Sequence, residues 1–425
     1  MNAEFRMNAN PESESLSDFA GEETAPGRTR RSLEGRLLRR LLSDLGDPPV
    51  EFVLWTGERI APAGAAPGIK IRIADRGTLF RVLRDPQVQF PDAYSAGKLE
   101  VEGDLVELIA LIYRGMAKDE GRDSFGSRLA RWLRRTQRNT LAGSRRNIHH
   151  HYDIGNEFYA MWLGETMAYT CAYYPSVAAT LEQAQIAKMD HVCRKLQLQP
   201  GDSVVEAGCG WGSLALHMAS RYGARVRAFN ISHEQIAFAR ERAKQQQLQD
   251  RVEFIQDDYR NISGRYDVFA SVGMLEHVGR EHYGQLGQVI RRSLCSAGRG
   301  LIHSIGRNHP GLLHPWITRR IFPGAYAPSL GEMMQIFEPS GLSVLDVENI
   351  RLHYALTLRH WLERYRAAED RVRRMFDETF VRMWRLYLAG SIAGFETGTL
   401  QLFQVVFTTR ENNHFPLTRQ HLYST

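Results

Sequence analysis

Val204-Val205-Glu206-Ala207-Gly208-Cys209-Gly210-Trp211-Gly212 is the stretch that decides the fold. The apolar residues around Glu206 read as a buried strand, and the alternate glycines read as a tight turn leading into a helix. The spacing is GxGxG after an acid, whereas the dinucleotide fingerprint is GxGxxG. Glu206, two residues before the first glycine, repels a pyrophosphate but suits a ligand carrying a sulfonium and an ammonium group. The turn therefore points to S-adenosylmethionine rather than NAD. The plain alternative is a tight turn without a ligand, and strand, acid and helix together weigh against it.

Outward from the turn, strand-like runs alternate with helical ones: Ser203 to Ala207, Arg225 to Asn230, Val252 to Gln256, Tyr266 to Val272 and Leu301 to Ile305. That order predicts a doubly wound parallel α/β sheet with its ligand at the carboxyl ends of the strands. The second strand ends at Asn230 and Ile231, with Gln235 beyond, offering amides to ribose hydroxyls where NAD enzymes place an acid. Asp258 and Tyr259 follow the third strand, suited to an adenine amine and ring.

The N-terminal third is organised differently. Residues 1–30 are rich in Glu, Ser, Asn and Pro and predict a disordered tail. Leucines at helical spacing from Leu33, alternating runs at 51–55 and 69–74, and a helix over 104–115 capped by Asp104 predict a small α+β domain at 31–125. From Arg128 to Arg146 there are seven arginines and no acid. This linker helix, 126–147, sets Arg128, Arg131, Arg135 and Arg138 on one face and reads equally as a membrane-contacting stripe or a solvated connector.

The net charge of +6 suits a polyanion without choosing between nucleic acid and an anionic membrane. No apolar run reaches the ~18 residues of a membrane span, and the acidic N-terminus lacks signal-peptide order. Four scattered cysteines form neither a disulfide framework nor a zinc spacing, so reduced thiols and no metal are expected. A cytoplasmic protein follows from these features.

A second dense segment, Asn147 to Tyr174, reads NIHHHYDIGNEFYAMWLGETMAYTCAYY. Further on come Gly273-Met274-Leu275-Glu276-His277-Val278-Gly279, Leu301-Ile302-His303-Ser304-Ile305-Gly306, Pro315-Trp316, Ile321-Phe322-Pro323-Gly324, His353-Tyr354 with Trp361, and Gln401 to Phe407. In this order the segments resemble the cyclopropane fatty acid synthase and mycolic acid methyltransferase family over roughly residues 140 to 410. Residues 31–125 resemble, more weakly, the lipid-binding-type N-terminal domain of the bacterial synthases.

The resemblance implies a Rossmann-like class I methyltransferase domain at 148–425, with Tyr169, Thr170, Glu206, Gly208, Gly210, Trp211, Gly212, Asn230, Ile231, Gln235, Asp258 and Tyr259 around S-adenosylmethionine. It implies electrophilic methylation of a cis double bond in an unsaturated phospholipid acyl chain, with ring closure by loss of a proton to a bound bicarbonate. The positions matching the bicarbonate site are Cys171, Glu276, His303, Ile305 through its backbone, and Tyr354; Glu276 acting directly as the base is the alternative. A weakly nucleophilic alkene needs desolvation, alignment and aromatic faces, which Tyr152, Tyr169, Tyr173, Tyr174, Tyr354 and Trp361 offer. One departure is Ser391, where family members often carry a cysteine.

The expected partners are acyl chains at an anionic membrane surface, not nucleic acid. The expected location is peripheral, on the inner face of the cell membrane, and a homodimer is admitted. Rival readings are a methyl- or methylene-branching enzyme on the same chains, a small-molecule N-methyltransferase, and a non-catalytic protein binding RNA or membrane.

Overall fold

The computed structural model of the 425-residue chain describes residues 32–62, 67–119 and 154–423. The N-terminal tail, the arginine-rich segment 128–146 and Tyr152 lie outside the described residues. The chain divides into two compact units, Met1–Asp104 and Leu105–Thr425.

In the first unit, helix α1 (Leu33–Asp44) starts where the Ser32 hydroxyl accepts from the Gly35 N–H, and it buries Leu38 and Leu42. Strands β1 (Val50–Val53), β2 (Arg59–Ile60) and β3 (Ile69–Ile73) follow. Helices α2 (Arg76–Arg84) and α3 (Pro86–Ser95) then lead to β4 (Leu99–Glu102). The sheet order is β2-β1-β3-β4, with β1 and β3 parallel. Along β3, Ile69, Ile71 and Ile73 are buried while Lys70 and Arg72 are not, the period of a one-sided strand.

The second unit opens with α4 (Leu105–Asp119), which packs on α12 (Glu378–Glu396). Between them run α5 (Asn156–Leu163), α6 (Leu181–Lys195), β5 (Ser203–Ala207), α7 (Ser213–Tyr222), β6 (Arg225–Asn230), α8 (His233–Gln245), β7 (Val252–Gln256) and β8 (Tyr266–Val272). Next come α9 (Tyr283–Ser293), β9 (Leu294–Gly306), α10 (Leu330–Phe337), β10 (Leu342–Asn349) and α11 (Arg351–Met375), with β11 (Gln401–Thr409) after α12. The seven strands lie in the order β10-β11-β9-β8-β5-β6-β7.

Strands β7, β6, β5, β8 and β9 are mutually parallel, as the alternation of strand and helix requires. The sheet is not wholly parallel, because β11 runs antiparallel to both β9 and β10. It returns from the long helices α11 and α12 and enters the gap between two strands already laid down. Both sheet faces are covered. Val204 packs with Leu214, Met218 and Val226 in one core cluster, and its neighbour Val205 packs with Phe269, Leu286 and Ile302 in the other. This double burial is why these strands read as continuous apolar runs.

Candidate active site

The turn after β5 takes positive φ at Gly208, Gly210 and Gly212, at 85°, 54° and 83°. The N–H groups of Gly208 and Cys209 both donate to the Phe229 carbonyl, at 2.8 and 3.1 Å, which ties the turn to the end of β6. A cleft opens there. Its walls include Tyr169, Thr170, Glu206, Gly208, Gly210, Trp211, Asn230, Ile231, Gln235, Asp258 and Tyr259. Of the residues expected around the cofactor, Gly212 alone stands off the wall: a Cβ there would meet the Phe254 ring at 2.6 Å. Gly212 lets helix α7 pack closely, whereas a Cβ at Gly210 would meet nothing within 4 Å.

Several lining residues are braced by one another. Asn230 donates its amide to Gln235 Oε1 at 2.7 Å and to the Gly210 carbonyl at 3.3 Å. Asp258 accepts two hydrogen bonds from the Arg260 guanidinium, at 2.8 and 3.0 Å. Trp211 donates to Asn156 Oδ1 at 2.7 Å and packs its ring 5.0 Å from Tyr159. Two polar atoms at the cleft are buried without a hydrogen-bond partner, Glu206 Oε2 and the Tyr259 hydroxyl. Burial pushes the Glu206 carboxyl up to about 7, against the opposing charge of Lys188 and a backbone bond from Ala215.

The second set of residues lies behind the cleft wall formed by Thr170 and Gly273. The Gly273 N–H donates to the His303 carbonyl at 2.9 Å, and Cys171 follows Thr170 in the chain. Glu276, in a single helical turn after β8, accepts at Oε1 from the Ile305 N–H at 2.6 Å, and its Oε2 is buried without a partner. Burial lifts its carboxyl to about 7, against the pull of that backbone bond. His303 faces Gln404 across the β9–β11 pairing, with Gln404 Nε2 3.1 Å from its Nδ1. An amide nitrogen only donates, so Nδ1 accepts and the ring proton sits on Nε2. Burial, with Lys188 and Lys195 adding to it, drives the His303 pKa down to about 3.

Cys171 is fully buried, and burial pushes its thiol far up. The Ala172 N–H donates to Thr357 Oγ1 at 3.1 Å, joining the cysteine's segment to α11 one turn beyond Tyr354. Tyr354 packs against Phe395 at 4.7 Å and Trp361 at 6.0 Å. Tyr169 bonds the Tyr387 hydroxyl at 2.8 Å and contacts Tyr159, Trp162 and Trp361 within 5.3–5.6 Å, so an aromatic shell adjoins the cleft. Ser391 spends its hydroxyl on the Tyr387 carbonyl at 2.9 Å inside α12. Tyr173 stacks between His191 and His353, at 4.2 and 4.6 Å.

Sequence reasoning missed Lys188, Gln185 and His277. Gln185 donates to the Thr170 carbonyl at 2.9 Å, Lys188 donates to Thr170 Oγ1 at 3.0 Å, and both are buried. His277 lines the cleft, and burial holds its pKa down at about 4. The available signal was polar residues on the buried stripe of α6, where Gln185, Lys188 and His191 alternate with Ala184, Met189 and Val192.

Residues 139–405 match the family described as mycolic acid cyclopropane synthetase, and residues 37–119 match a domain of unknown function. A probable fatty acid methyltransferase of Pseudomonas putida is 34% identical over 88% of this chain and 96% of its own length. The cyclopropane-fatty-acyl-phospholipid synthase of Escherichia coli K12 is 38% identical over 63% of this chain and 69% of its own. Among solved structures, mycolic acid cyclopropane synthase CmaA1 complexed with SAH and CTAB superposes with a TM-score of 0.59 at 27% identity, covering 62% of this chain and 98% of that one.

Proposed function

The chain belongs to the mycolic acid cyclopropane synthetase family, an S-adenosylmethionine-dependent methyltransferase family, and we propose that it adds a one-carbon bridge to the cis double bond of unsaturated phospholipid acyl chains. The observation that carries this reading is an acid-lined glycine turn next to a closed aromatic shell.

The cleft suits S-adenosylmethionine. Glu206 keeps a buried carboxylate oxygen that suits an ammonium, Gly210 leaves space for ligand atoms, and Asp258 and Tyr259 line the same cleft and would offer an adenine a polar edge and a ring. Bound there, the cofactor supplies an electrophilic methyl group. Tyr169 lines the cleft, and the fully buried Tyr159, Trp162 and Trp361 pack against it or one another, an apolar aromatic backing that would keep water from the positive charge developing on the acyl chain. Glu276, His303, Tyr354 and Cys171 are the residues that would hold bicarbonate; Ile305, expected to contribute through its backbone, gives its N–H to Glu276 Oε1 and would act by orienting that carboxyl. The fit is chemical: Glu276 Oε2 lacks a donor that the ion's own proton would supply, and His303 Nε2–H would be free to donate to its oxygens.

The phospholipid substrate is supported by the Escherichia coli relative. No helix among the described residues is long and apolar enough to cross a membrane. The 128–146 arginines are the proposed contact with an anionic membrane surface. Lipid mass spectrometry of a host expressing the protein tests the reading. A gain of one CH₂ on unsaturated chains, with a ring on fragmentation, is expected.

A second reading is that the reaction ends in a methyl or methylene branch. The relative matched over nearly its whole length is described as a probable fatty acid methyltransferase. The same fragmentation separates branch from ring.

A further inference from the structure

We propose that Lys188 is a positioning residue for the carboxylate of S-adenosylmethionine, acting by fixing the Thr170 hydroxyl as a donor into the cleft. This deepens the cofactor reading above and rests on it.

Lys188 is 2% exposed on α6, and its ammonium lies 3.0 Å from Thr170 Oγ1. An ammonium donates and accepts nothing, so Thr170 Oγ1 must accept, and its own hydrogen is left for another acceptor. Among the described residues no acceptor takes it. Gln185 holds the same residue from its backbone side, donating to the Thr170 carbonyl at 2.9 Å. The hydroxyl is thus placed by two buried side chains, and Thr170, Lys188 and Glu206 all line the cleft.

The charges match one particular end of the cofactor. Glu206 and Lys188 offer one negative and one positive group to the cleft without forming an ion pair with each other, and Glu206 Oε2 is buried with no partner. An amino-acid end carries the complementary pair: its ammonium suits Glu206, and its carboxylate suits Thr170 backed by Lys188. Burial lowers the Lys188 pKa to about 8, and the nearby Glu206 carboxylate opposes that fall. A bound carboxylate favours the ammonium further.

Calorimetry on the full chain with S-adenosylmethionine and with decarboxylated S-adenosylmethionine separates this role from a merely structural one. The parent should bind the complete cofactor more tightly. Lys188→Met should weaken S-adenosylmethionine by about ten- to a hundredfold, the range for a lost hydrogen bond to a charged group, and change the decarboxylated ligand less than about threefold. Equal loss for both ligands, or loss for neither, overturns the inference. If Lys188→Met fails to fold, Thr170→Val provides the same comparison: a loss confined to the complete cofactor supports the inference, and an unchanged preference overturns it. A parent that binds neither ligand overturns the cofactor reading, and this inference with it.

Discussion

The backbone N–H of Ile305 donates to Glu276 Oε1 at 2.6 Å, leaving Oε2 as a buried acceptor with nothing to accept. Protonating that carboxyl, whose pKa is raised to about 7, removes the acceptor. Activity should therefore rise with pH through about 7, and Glu276→Gln should lose that limb along with roughly a hundredfold in rate while still binding S-adenosylmethionine. The stability sign is opposite. Between 4.5 and about 7 the folded Glu276 holds a proton the unfolded chain releases, a loss of roughly 3 kcal/mol across that window; Glu206, also raised to about 7, contributes a similar loss to parent and variant alike, so the variant should lose about 3 kcal/mol less than the parent. A pH–rate profile and pH-dependent unfolding check the two halves.

Depleting carbonate by degassing should slow the parent reversibly or shift its products toward methyl-branched and unsaturated chains. If neither rate nor product changes, Glu276 acting directly as the base becomes the better account.

Gly210 and Gly212 should part company when each is changed to Val. At Gly210 the new side chain enters open cleft space and costs only the backbone strain of a β-branched residue at φ 54°, about 1–3 kcal/mol, so calorimetry should show lost cofactor binding in a protein that still folds. At Gly212 it strikes the Phe254 ring at 2.6 Å and the Ala239 Cβ at 2.9 Å, so denaturant unfolding should show a loss of about 3 kcal/mol.

Glu348 accepts from His191 at 2.7 Å and pairs with Lys195 at 2.6 Å, and these partners overcome its burial to hold its carboxyl down at about 2. Its stabilising contribution is present above about 4.5 and lost as pH falls toward 2. Glu348→Gln should cost on the order of 2 kcal/mol at neutral pH, and the difference from the parent should vanish in acid.

Replacing Arg128, Arg131, Arg135 and Arg138 with Gln should weaken sedimentation with anionic vesicles, at about 1 kcal/mol per basic residue. Equal sedimentation of variant and parent would make the segment a connector.

Val204 and Val268 belong to β5 and β8, legible from sequence because burial on both faces leaves a nearly unbroken apolar run, whereas Phe254 lies on the edge strand β7, legible by its alternation of buried and exposed residues. Strand β11 has the texture of β5 and β8, buried from Gln401 to Thr409, but burial on both faces says nothing about direction, so its antiparallel course was not legible. Glu206 and Gly210 could be read because a turn chemistry singled them out. Lys188 could not, because a lysine inside a helix reads as solvated until its stripe is known to face the cleft.

The insertion of β11 between β9 and β10 also sets an order of events during synthesis. The ribosome releases β9 and β10 well before Gln401–Thr409, so the nascent sheet waits with an unsatisfied edge at the strand that carries His303. Gln404, which fixes the proton on that imidazole, arrives only with the last strand. A chain stopped short of β11 should therefore be a sticky, chaperone-bound species rather than merely an inactive enzyme.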